Sequence, residues 1–391
     1  MAFREILPGD MNIMAVVKAN GYGHGAIQIA QEVIDCGAEY LAVALLDEAL
    51  ELRHAGIKAP ILVMGYIPPE GLEPARLHHI TITAFSKEML ESIEGALAIQ
   101  GKIVSGSGAS SETEREAEVG TVWPLLKVHI KLDTGMGRLG VSAEPGEAVA
   151  FIERALLLKG MVVEGLYTHY ASADETDPTS TYSQYERFKG IVDYFRGEGV
   201  EFLYIHAGNS AGAIQFPELS YNMVRLGISL YGLYPSEEVN HETIRLEPVM
   251  SFKTAVVMAK MLPPGHGVSY GSIYRTVGEE QIATLPAGYA DGLSRGLTGN
   301  CEALIRGTRV PVVGRICMDQ CMVNVSELQD VIMGEEVVLF GKQGEAVIPA
   351  DEWARKLGTI NYEVTCMVSY RVPKVYFKEG RIIEIINPLL R

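Results

Sequence analysis

The sequence is poor in cysteine, with five among 391 residues, and no two of them form a C-x-x-C pair. Scattered cysteines in odd number argue against a disulfide framework and a zinc cluster, and they favour a reducing compartment. Long apolar runs are also missing, since none approaches the ~20 residues that cross a bilayer. The first residues carry charge and proline where a signal peptide would have its apolar segment. We therefore expect a soluble cytoplasmic protein that is not embedded in a membrane and holds no metal.

Basic residues are outnumbered, because 33 Lys and Arg face 49 Asp and Glu and give a formal net charge of −16. This acidity disfavours nucleic acid and anionic membranes as partners. The composition, 48% hydrophobic and 21% charged, is otherwise typical of a globular protein. At the usual ~150 residues per domain, the length predicts two or three domains.

Short apolar segments alternate with helix-like segments through the first ~240 residues. The predicted strands are Ile13–Val17, Tyr40–Ala44, Ile61–Met64, Ile80–Ala84, Lys127–Leu132, Val162–Thr168, Leu203–His206 and Asn222–Arg225. The predicted helices are Ala26–Ile34, Leu46–His54, Glu88–Ile99, Pro145–Leu157 and Tyr182–Arg196. Eight strands alternating with helices match a (β/α)8 TIM-type barrel, but a doubly wound open sheet would alternate in the same way.

The pattern changes after about Leu246, where short strands are divided by Gly, Pro and Asp. These strands are predicted at Phe252–Met258, Gln281–Leu285, Cys301–Ile305, Val310–Ile316, Cys321–Val325, Glu336–Phe340 and Val372–Phe377, with one helix around Ala350–Leu357. The sequence thus predicts an α/β domain over residues 1–245 and a mostly β domain over 246–391. Within the first domain, the small polar run Ser105–Ser111 and the charged run Glu112–Glu118 indicate a flexible insertion.

A lysine follows the first predicted strand, because Lys18 comes directly after the apolar residues that end at Val17. Barrels of this type place their active sites at the C-terminal ends of the strands. A lysine that merely extends from the barrel rim into solvent would occupy the same position. The glycine-rich turn Ala19–Gly25 favours a site, since it lets backbone and ligand approach closely. A desolvated lysine favours its neutral amine, which can form a Schiff base with an aldehyde.

Other strand ends carry polar clusters at Lys131–Arg138, Thr168–Tyr170, His206–Gly212 and Arg225. Asn209 and Ser210 stand before a helix-like segment and could offer a hydroxyl and backbone N–H groups to a phosphate, or could form an ordinary helix N-cap. Arg225 could bind a phosphate or an aromatic nitrogen, whereas His169 alone fits a structural histidine equally well.

Nine motifs in this order resemble those of the alanine racemase family, and the resemblance covers nearly the whole chain from Met11. They are Ala15–Gly25, Lys131–Arg138, Thr168–His169, Asn209–Ala211, Arg225–Gly232, Val268–Gly271, Gly288–Gly292, Cys317–Asp319 and Ser369–Pro373. The resemblance implies a TIM-type barrel with a C-terminal β domain, bound pyridoxal 5′-phosphate, and interconversion of L- and D-alanine to supply D-alanine for peptidoglycan.

Racemisation takes a proton from one face of the α-carbon and returns one to the other face, so two bases are needed. The resemblance implies that Lys18 is the Schiff-base lysine and one base, and that Tyr270 is the other. It also implies that His169, with Arg225 behind it, helps Tyr270 act as a base, and that Arg225 hydrogen-bonds the pyridine nitrogen of the cofactor. Because arginine keeps its proton, that nitrogen should stay largely unprotonated, which restrains side reactions such as transamination.

The remaining contacts also come from the resemblance. Those to the cofactor are expected from Tyr22, Asn209, Ser210, Gly227, Ile228 and Tyr370, and those to the substrate from Arg138, Tyr289, Met318 and Asp319. Arg138 would also touch the phenolic oxygen of the cofactor, and Lys131 is the candidate for a carbamylated lysine that orients Arg138. Tyr270 and Met318 are expected from a second protomer, which predicts a homodimer that shares its active sites.

Three alternatives stay open at this stage: an amino-acid decarboxylase, a broad-specificity or serine racemase, and a non-catalytic pyridoxal-phosphate-binding protein. A carboxylate clamp of Arg138 and Met318 disfavours decarboxylation, and the β domain with its Tyr270 motif disfavours the non-catalytic protein. Family members have a further strand before the lysine motif, whereas 17 residues precede Lys18 here. We expect activity nevertheless, because no matched motif precedes Lys18.

Overall fold

The computed structural model describes residues 2–104 and 124–390, without the side chains of residues 99–104. The insertion predicted at Ser105–Ser111 and Glu112–Glu118 lies outside these residues. Two compact units divide the chain. The first unit comprises Met1–Gly21, Ala26–Leu230 and Tyr234–Leu246, and the second comprises Tyr22–Gly25, Tyr231–Leu233 and Glu247–Arg391.

The first unit is built on a closed barrel of parallel strands. These strands are β1 (Asn12–Val16), β2 (Tyr40–Val43), β3 (Ile61–Val63), β4 (Ile80–Ala84), β5 (Leu126–Asp133), β7 (Met161–Tyr167), β8 (Tyr204–His206) and β9 (Met223–Leu226), while the short β6 (Val141–Ser142) extends from β5. β1 pairs with both β2 and β9, and β4 pairs with β5, so no edge strand remains in the ring. Ring closure excludes the open doubly wound sheet and confirms the predicted TIM-type barrel.

Helices precede, separate and follow the barrel strands along the chain. They are Phe3–Ile6, Ala26–Asp35, Leu46–His54, Leu72–Leu77, Lys87–Val104, Pro145–Leu157, Thr179–Gly197 and Ser210–Gln215, with short 3₁₀ turns at Pro69–Gly71, Pro217–Leu219 and Ile228–Tyr231. Each longer helix buries one apolar stripe; Pro145–Leu157, for example, buries Ala148, Phe151, Ile152 and Ala155 at helical spacing. The sequence did not predict Leu72–Leu77, because six residues with an internal Pro74 are too short to show a period.

The second unit is mainly antiparallel. Its strands are β10 (Phe252–Ala255), β11 (Met258–Leu262), β12 (Gly267–Val268), β13 (Tyr274–Arg275), β14 (Glu280–Leu285), β15 (Glu302–Ile305), β16 (Thr308–Val313), β17 (Cys321–Asn324), β18 (Glu336–Gln343), β19 (Ala346–Ile348), β20 (Lys374–Lys378) and β21 (Arg381–Ile386). The main sheet has the order β10-β18-β15-β16-β17-β14-β11. Trp353, Phe340 and Phe252 pack together in its core.

Two expectations for the second unit were wrong. The single strand predicted at Phe252–Met258 is two strands, because β10 pairs with β18 whereas β11 pairs with β14. A second helix, Asn361–Met367, follows Ala350–Leu357. Its seven residues include Tyr, Val, Thr and Cys, whose weak helix propensity hid it. Among the described residues, no helix combines the length and apolarity that crossing a membrane requires.

Candidate active site

Lys18 stands two residues after the end of β1, at the start of an unusual turn. Ala19, Asn20, Gly21 and Tyr22 all have left-handed backbone angles, with φ between 51° and 59°. This conformation costs about 1–2 kcal/mol for each non-glycine residue, so three of the four residues are strained. Such strain persists only where surrounding contacts hold it, and it clusters at functional sites.

The carboxylate of Glu48 supplies much of that support. Its Oε1 accepts the N–H of Ala19 at 2.6 Å, and its Oε2 accepts the N–H groups of Ala44 and Leu45 at 2.8 and 3.0 Å. Glu48 lies in the first turn of Leu46–His54, where a negative charge is favourable. One side chain therefore ties the end of β2 to the turn that carries Lys18.

Positive charge is concentrated at the C-terminal ends of the barrel strands. Lys131 is buried on β5, and its pKa is lowered to about 8, mainly by burial and then by Arg138, Arg225 and Lys18. Asp133 opposes this shift only in part. The site thus contains four basic side chains and fewer acidic ones. An anionic ligand would stabilise this arrangement.

Arg225 is buried on β9 at the centre of a hydrogen-bond network. Its Nη2 shares two protons among three acceptors, the Thr168 and Ala207 carbonyl oxygens and His169 Nδ1, each at 2.9 Å, and its Nη1 donates to His206 Nδ1 at 2.8 Å. Burial lowers the pKa of Arg225 to about 10, so the guanidinium is charged at neutral pH.

An aromatic ring closes the other side of this network. Tyr167, at the end of β7, stacks on His206 with ring centroids 4.6 Å apart. The Arg225 Cζ lies 5.3 Å from the Tyr167 ring centroid and the Lys131 Nζ lies 5.7 Å from it, distances that allow cation–π attraction. Burial raises the pKa of Tyr167 to about 12, so the ring keeps its proton.

Ser210 and the residues after β9 form a second polar group. Asn209 is the N-cap of Ser210–Gln215, since its Oδ1 accepts the Gly212 N–H at 2.9 Å, which is the ordinary capping role. Ser210 Oγ accepts the Gly227 N–H at 2.9 Å, and Ile228 is fully buried beside it. The buried Ser229 hydroxyl has no partner among the described residues, so the group has spare hydrogen-bonding capacity.

Tyr22 belongs to the second unit. Its buried ring packs against Tyr231 and Tyr362, with centroids 4.9 and 6.1 Å away, and this burial raises the pKa of its phenol. Gly23 follows with φ +84°, and a Cβ there would lie 2.2 Å from the Thr365 carbonyl oxygen. Only glycine fits at that position, which explains part of the glycine-rich motif.

The other predicted residues of the second unit lie on neighbouring loops. Tyr289 and Met318 are adjacent, because the Tyr289 N–H donates to the Cys317 carbonyl and the Ala290 N–H to that of Met318. Asp319 does not stand alone, since Arg371 donates to it at 2.6 Å and to Asp291 at 2.8 Å. The carboxylate of Asp319 thus joins loops within the unit.

Tyr270 and Tyr370 are the most exposed of these residues, at 71% and 69% of their surface. Tyr270 sits in a tight turn between β12 and β13, in which Ser269 Oγ donates to the Arg315 carbonyl at 2.7 Å.

Sequence reasoning missed three residues that shape the site: Glu48, Tyr167 and Gln184. Tyr167 lies one residue before the end of the predicted strand Val162–Thr168, so its position near a barrel strand end was a usable signal. Glu48 and Gln184 lie within helices and gave no local signal, because their partners are distant in sequence.

A closed barrel that carries a lysine on a strained turn, with buried lysine and arginine at other strand ends, is the arrangement expected of an enzyme that acts on a small anionic molecule at the C-terminal face of a TIM-type barrel. Residues 2–235 match the family model described as alanine racemase, N-terminal domain, and residues 249–376 match alanine racemase, C-terminal domain. The chain belongs to the alanine racemase family, and it is an amino-acid racemase.

Relatives and solved structures agree along nearly the full length. The alanine racemase of Desulfovibrio desulfuricans is 46% identical over 92% of this chain and 90% of its own, and that of Halalkalibacterium halodurans is 43% identical over 100% and 94%. The crystal structure of alanine racemase from Bacillus anthracis with bound L-Ala-P has a TM-score of 0.87 at 39% identity, covering 99% of this chain and 94% of its own. The alanine racemase structure from Clostridium difficile 630 has a TM-score of 0.88 with the same identity and coverage.

Proposed function

We propose that this racemase interconverts L- and D-alanine with bound pyridoxal 5′-phosphate, using Lys18 and Tyr270 as bases on opposite faces of the substrate, and that it supplies D-alanine for peptidoglycan. The observation that carries the proposal is the placement of Lys18 on a strained turn within electrostatic reach of Lys131, Arg138 and Arg225. A covalently held, negatively charged cofactor and an amino-acid carboxylate suit that combination of amine and surplus positive charge.

The donor groups fit the cofactor. A phosphate needs several donors, and the Ser210 and Ser229 hydroxyls with the N–H of Ile228 are such a set at one end of β9. The Gly227 N–H, which donates to Ser210 Oγ in the structure, would exchange that acceptor for the phosphate. Tyr22 and Tyr370 would add phenol hydroxyls. When bound, the cofactor supplies a carbonyl that condenses with an amine and an electron sink for the substrate α-carbon.

Arg225 would donate to the pyridine nitrogen of the cofactor. Its pKa of about 10 keeps the guanidinium charged at neutral pH, so it donates a hydrogen bond without giving up its proton. The backbone carbonyls of Thr168 and Ala207 both accept from Nη2 and hold that end of the guanidinium in place.

Arg138 would hold the substrate carboxylate and the phenolic oxygen of the cofactor, and Lys131 would orient Arg138. A pKa of about 8 leaves part of the Lys131 population neutral at neutral pH, and a neutral amine can add carbon dioxide. Carbamylation would replace a cation that repels Arg138 with an anion that orients it.

Tyr270 would hold and return the proton on the face opposite Lys18, and Met318, Tyr289 and Asp319 would lie around the substrate. We propose that Tyr270 and Met318 reach the site from the partner protomer of a homodimer, so that each site is completed across a two-fold interface. The exposure of Tyr270, Met318 and Tyr370 supports this assembly.

Circular dichroism of L-alanine incubated with the purified, cofactor-loaded protein tests the proposal. We expect the optical activity to decay to zero with wild type and with Lys58→Ala, whose lysine is exposed and distant from the cationic cluster. Lys18→Ala should abolish the decay together with the visible absorbance of lysine-linked cofactor. Absorbance without decay would refute alanine as substrate, and decay in Lys18→Ala would refute the role of Lys18.

A further inference from the structure

Gln184 is buried in the middle of the helix Thr179–Gly197, with 2% of its surface exposed. Its Oε1 accepts the N–H of Ala171 at 2.8 Å. Its Nε2 donates to Thr134 Oγ1 at 3.2 Å and to the carbonyl oxygen of His169 at 3.0 Å. A single amide therefore connects the segment after β5 with the segment after β7.

The direction of these hydrogen bonds follows from counting protons. The Thr168 hydroxyl donates to the Leu132 carbonyl at 3.0 Å, and a hydroxyl has only one proton. In the 2.7 Å contact between Thr134 and Thr168, Thr134 must therefore be the donor. The Thr134 oxygen must then accept, and Gln184 is its donor. The hydrogen bonds therefore run in series, from Gln184 to Thr134, from Thr134 to Thr168 and from Thr168 to Leu132.

Both segments lead to groups with roles in the proposed reaction. Arg138 lies four residues after Thr134, on a turn in which Asp133 Oδ1 accepts the N–H groups of Gly135 and Gly137 at 2.9 and 3.1 Å. His169 is held at its ring by Arg225 and at its carbonyl by Gln184. Together with the direct hydrogen bond between Thr134 and Thr168, Gln184 thus braces the segment that leads to Arg138 against the segment that carries His169.

We propose that Gln184 is a positioning residue for racemisation, which sets the Arg138 segment against the His169 segment by donating two hydrogen bonds and accepting one. The inference rests on the proposed roles of Arg138 and His169. This positioning role requires an amide side chain. A glutamate has the same shape and keeps an acceptor for Ala171, but as a carboxylate it has no proton to donate to Thr134 or His169. An asparagine is one methylene shorter and cannot reach both segments.

The test compares Gln184→Glu, Gln184→Ala and Gln184→Asn with a control on the same helix. Thr181 is fully buried one turn earlier, and its hydroxyl has no hydrogen-bond partner among the described residues, so Thr181→Val perturbs the same helix without breaking a link. Measured quantities are kcat and KM for L-alanine, and amide hydrogen exchange of cofactor-free and cofactor-loaded protein.

We expect Gln184→Glu to lower kcat/KM about tenfold or more, mainly through KM, because the segment that carries Arg138 loses its donor at Thr134 while the His169 carbonyl loses the other donor. Thr181→Val should stay within about twofold of wild type. Exchange in the segment 134–138 should rise in every Gln184 variant. The Ala171 amide should stay protected in Gln184→Glu, which retains its acceptor, and lose protection in Gln184→Ala.

A wild-type KM in Gln184→Glu, or an equal loss in Thr181→Val, overturns the proposal. Unchanged exchange in the segment 134–138 across the Gln184 variants also overturns it. If Gln184→Ala does not fold, the glutamate variant still decides, because its shape is the same. A wild-type enzyme that fails to racemise alanine refutes the proposed function, and the exchange measurements then still test the link made by Gln184.

Discussion

Arg225 Nη2 donates to Nδ1 of His169 across 2.9 Å, in the interior of the barrel. Because a guanidinium has no acceptor, Nδ1 must be the acceptor, and the His169 ring is neutral with its proton on Nε2. The same reasoning applies to His206, whose Nδ1 accepts from Arg225. His206 then donates from Nε2 to Nδ1 of His129 at 2.9 Å, which leaves His129 neutral with its own proton on Nε2. One arginine thus sets the protonation of three histidines.

We expect these three rings to remain neutral Nε2–H tautomers through neutral pH. Burial and the neighbouring arginine lower the pKa of His129 to about 3 and lower the pKa values of His169 and His206 well below the ordinary value. Nitrogen NMR of histidine-labelled protein measures both charge and tautomer. Single His→Asn variants assign the signals, and a protonation step near pH 6.5 in any of the three would contradict the assignment.

The same histidines should make the protein sensitive to acid. Their pKa is lower in the folded state than in the unfolded state, so below pH ~6.5 the unfolded chain binds more protons and stability falls as pH falls. For His129 the window runs from about 6.5 down to about 3. Each histidine contributes a slope of about 1.4 kcal/mol per pH unit within its window. Urea unfolding of the first unit between pH 4 and 6.5 measures how its free energy of unfolding changes with pH. His129→Gln should reduce the number of protons taken up on unfolding by about one, and the slope should fall accordingly. An unchanged slope in that variant would count against the shift.

Much of this barrel could be predicted from sequence, because its strands are fully buried apolar runs punctuated by glycine and helix signals. Strands β1 to β9 begin and end within about one residue of their predicted positions, apart from the two-residue β6. Ring closure could not be predicted from periodicity, since the pairing of β1 with β9 joins residues more than 200 positions apart. Lys18, His169 and Arg225 were found because they lie at strand ends, whereas Tyr270, Met318 and Tyr370 came from the family resemblance alone. Glu48 and Gln184 were not, because a hydrogen bond between distant segments leaves no local pattern.

Lys131 should be carbamylated by carbon dioxide. Its pKa of about 8 is well below the ordinary value for lysine, so the neutral amine that adds carbon dioxide is available, and raising the pH toward 8 increases it. With ¹³C-labelled bicarbonate we expect one carbamate resonance that is absent in Lys131→Ala and retained in Lys127→Ala. Lys127 is the matched control, since it lies on the same strand with a partly exposed side chain paired to Glu164. A spectrum without that resonance would rule out carbamylation under those conditions, and Arg138 would then need another anion to orient it.

Glu48→Gln should lower kcat about tenfold or more while the fold is kept. The single amide oxygen can still accept from Ala44 and Leu45. The NH₂ group would then face the N–H of Ala19, and two donors cannot form a hydrogen bond with each other. The left-handed turn loses the support that offsets its strain, and Lys18 loses its fixed position. Steady-state kinetics and far-ultraviolet circular dichroism measure the two effects, with the exposed Glu51→Gln on the same helix as control. A kcat within about twofold of wild type would show that the turn holds without Glu48.

The assignment of Lys18 and Tyr270 to different protomers can be decided by mixing two inactive variants. Suppose that each site takes its lysine from one chain and its tyrosine from the other. A heterodimer of Lys18→Ala and Tyr270→Phe then has one site with both substitutions and one site with neither. Random exchange makes about half of the dimers mixed, each with one intact site, so about a quarter of wild-type activity should return. Sites built from a single chain predict no gain, since every site would then carry one substitution. The measurement is racemisation before and after subunit exchange, and mixing Lys18→Ala with itself is the control. Tyr270 suits the first outcome, because with 71% of its surface exposed it is available to a second chain.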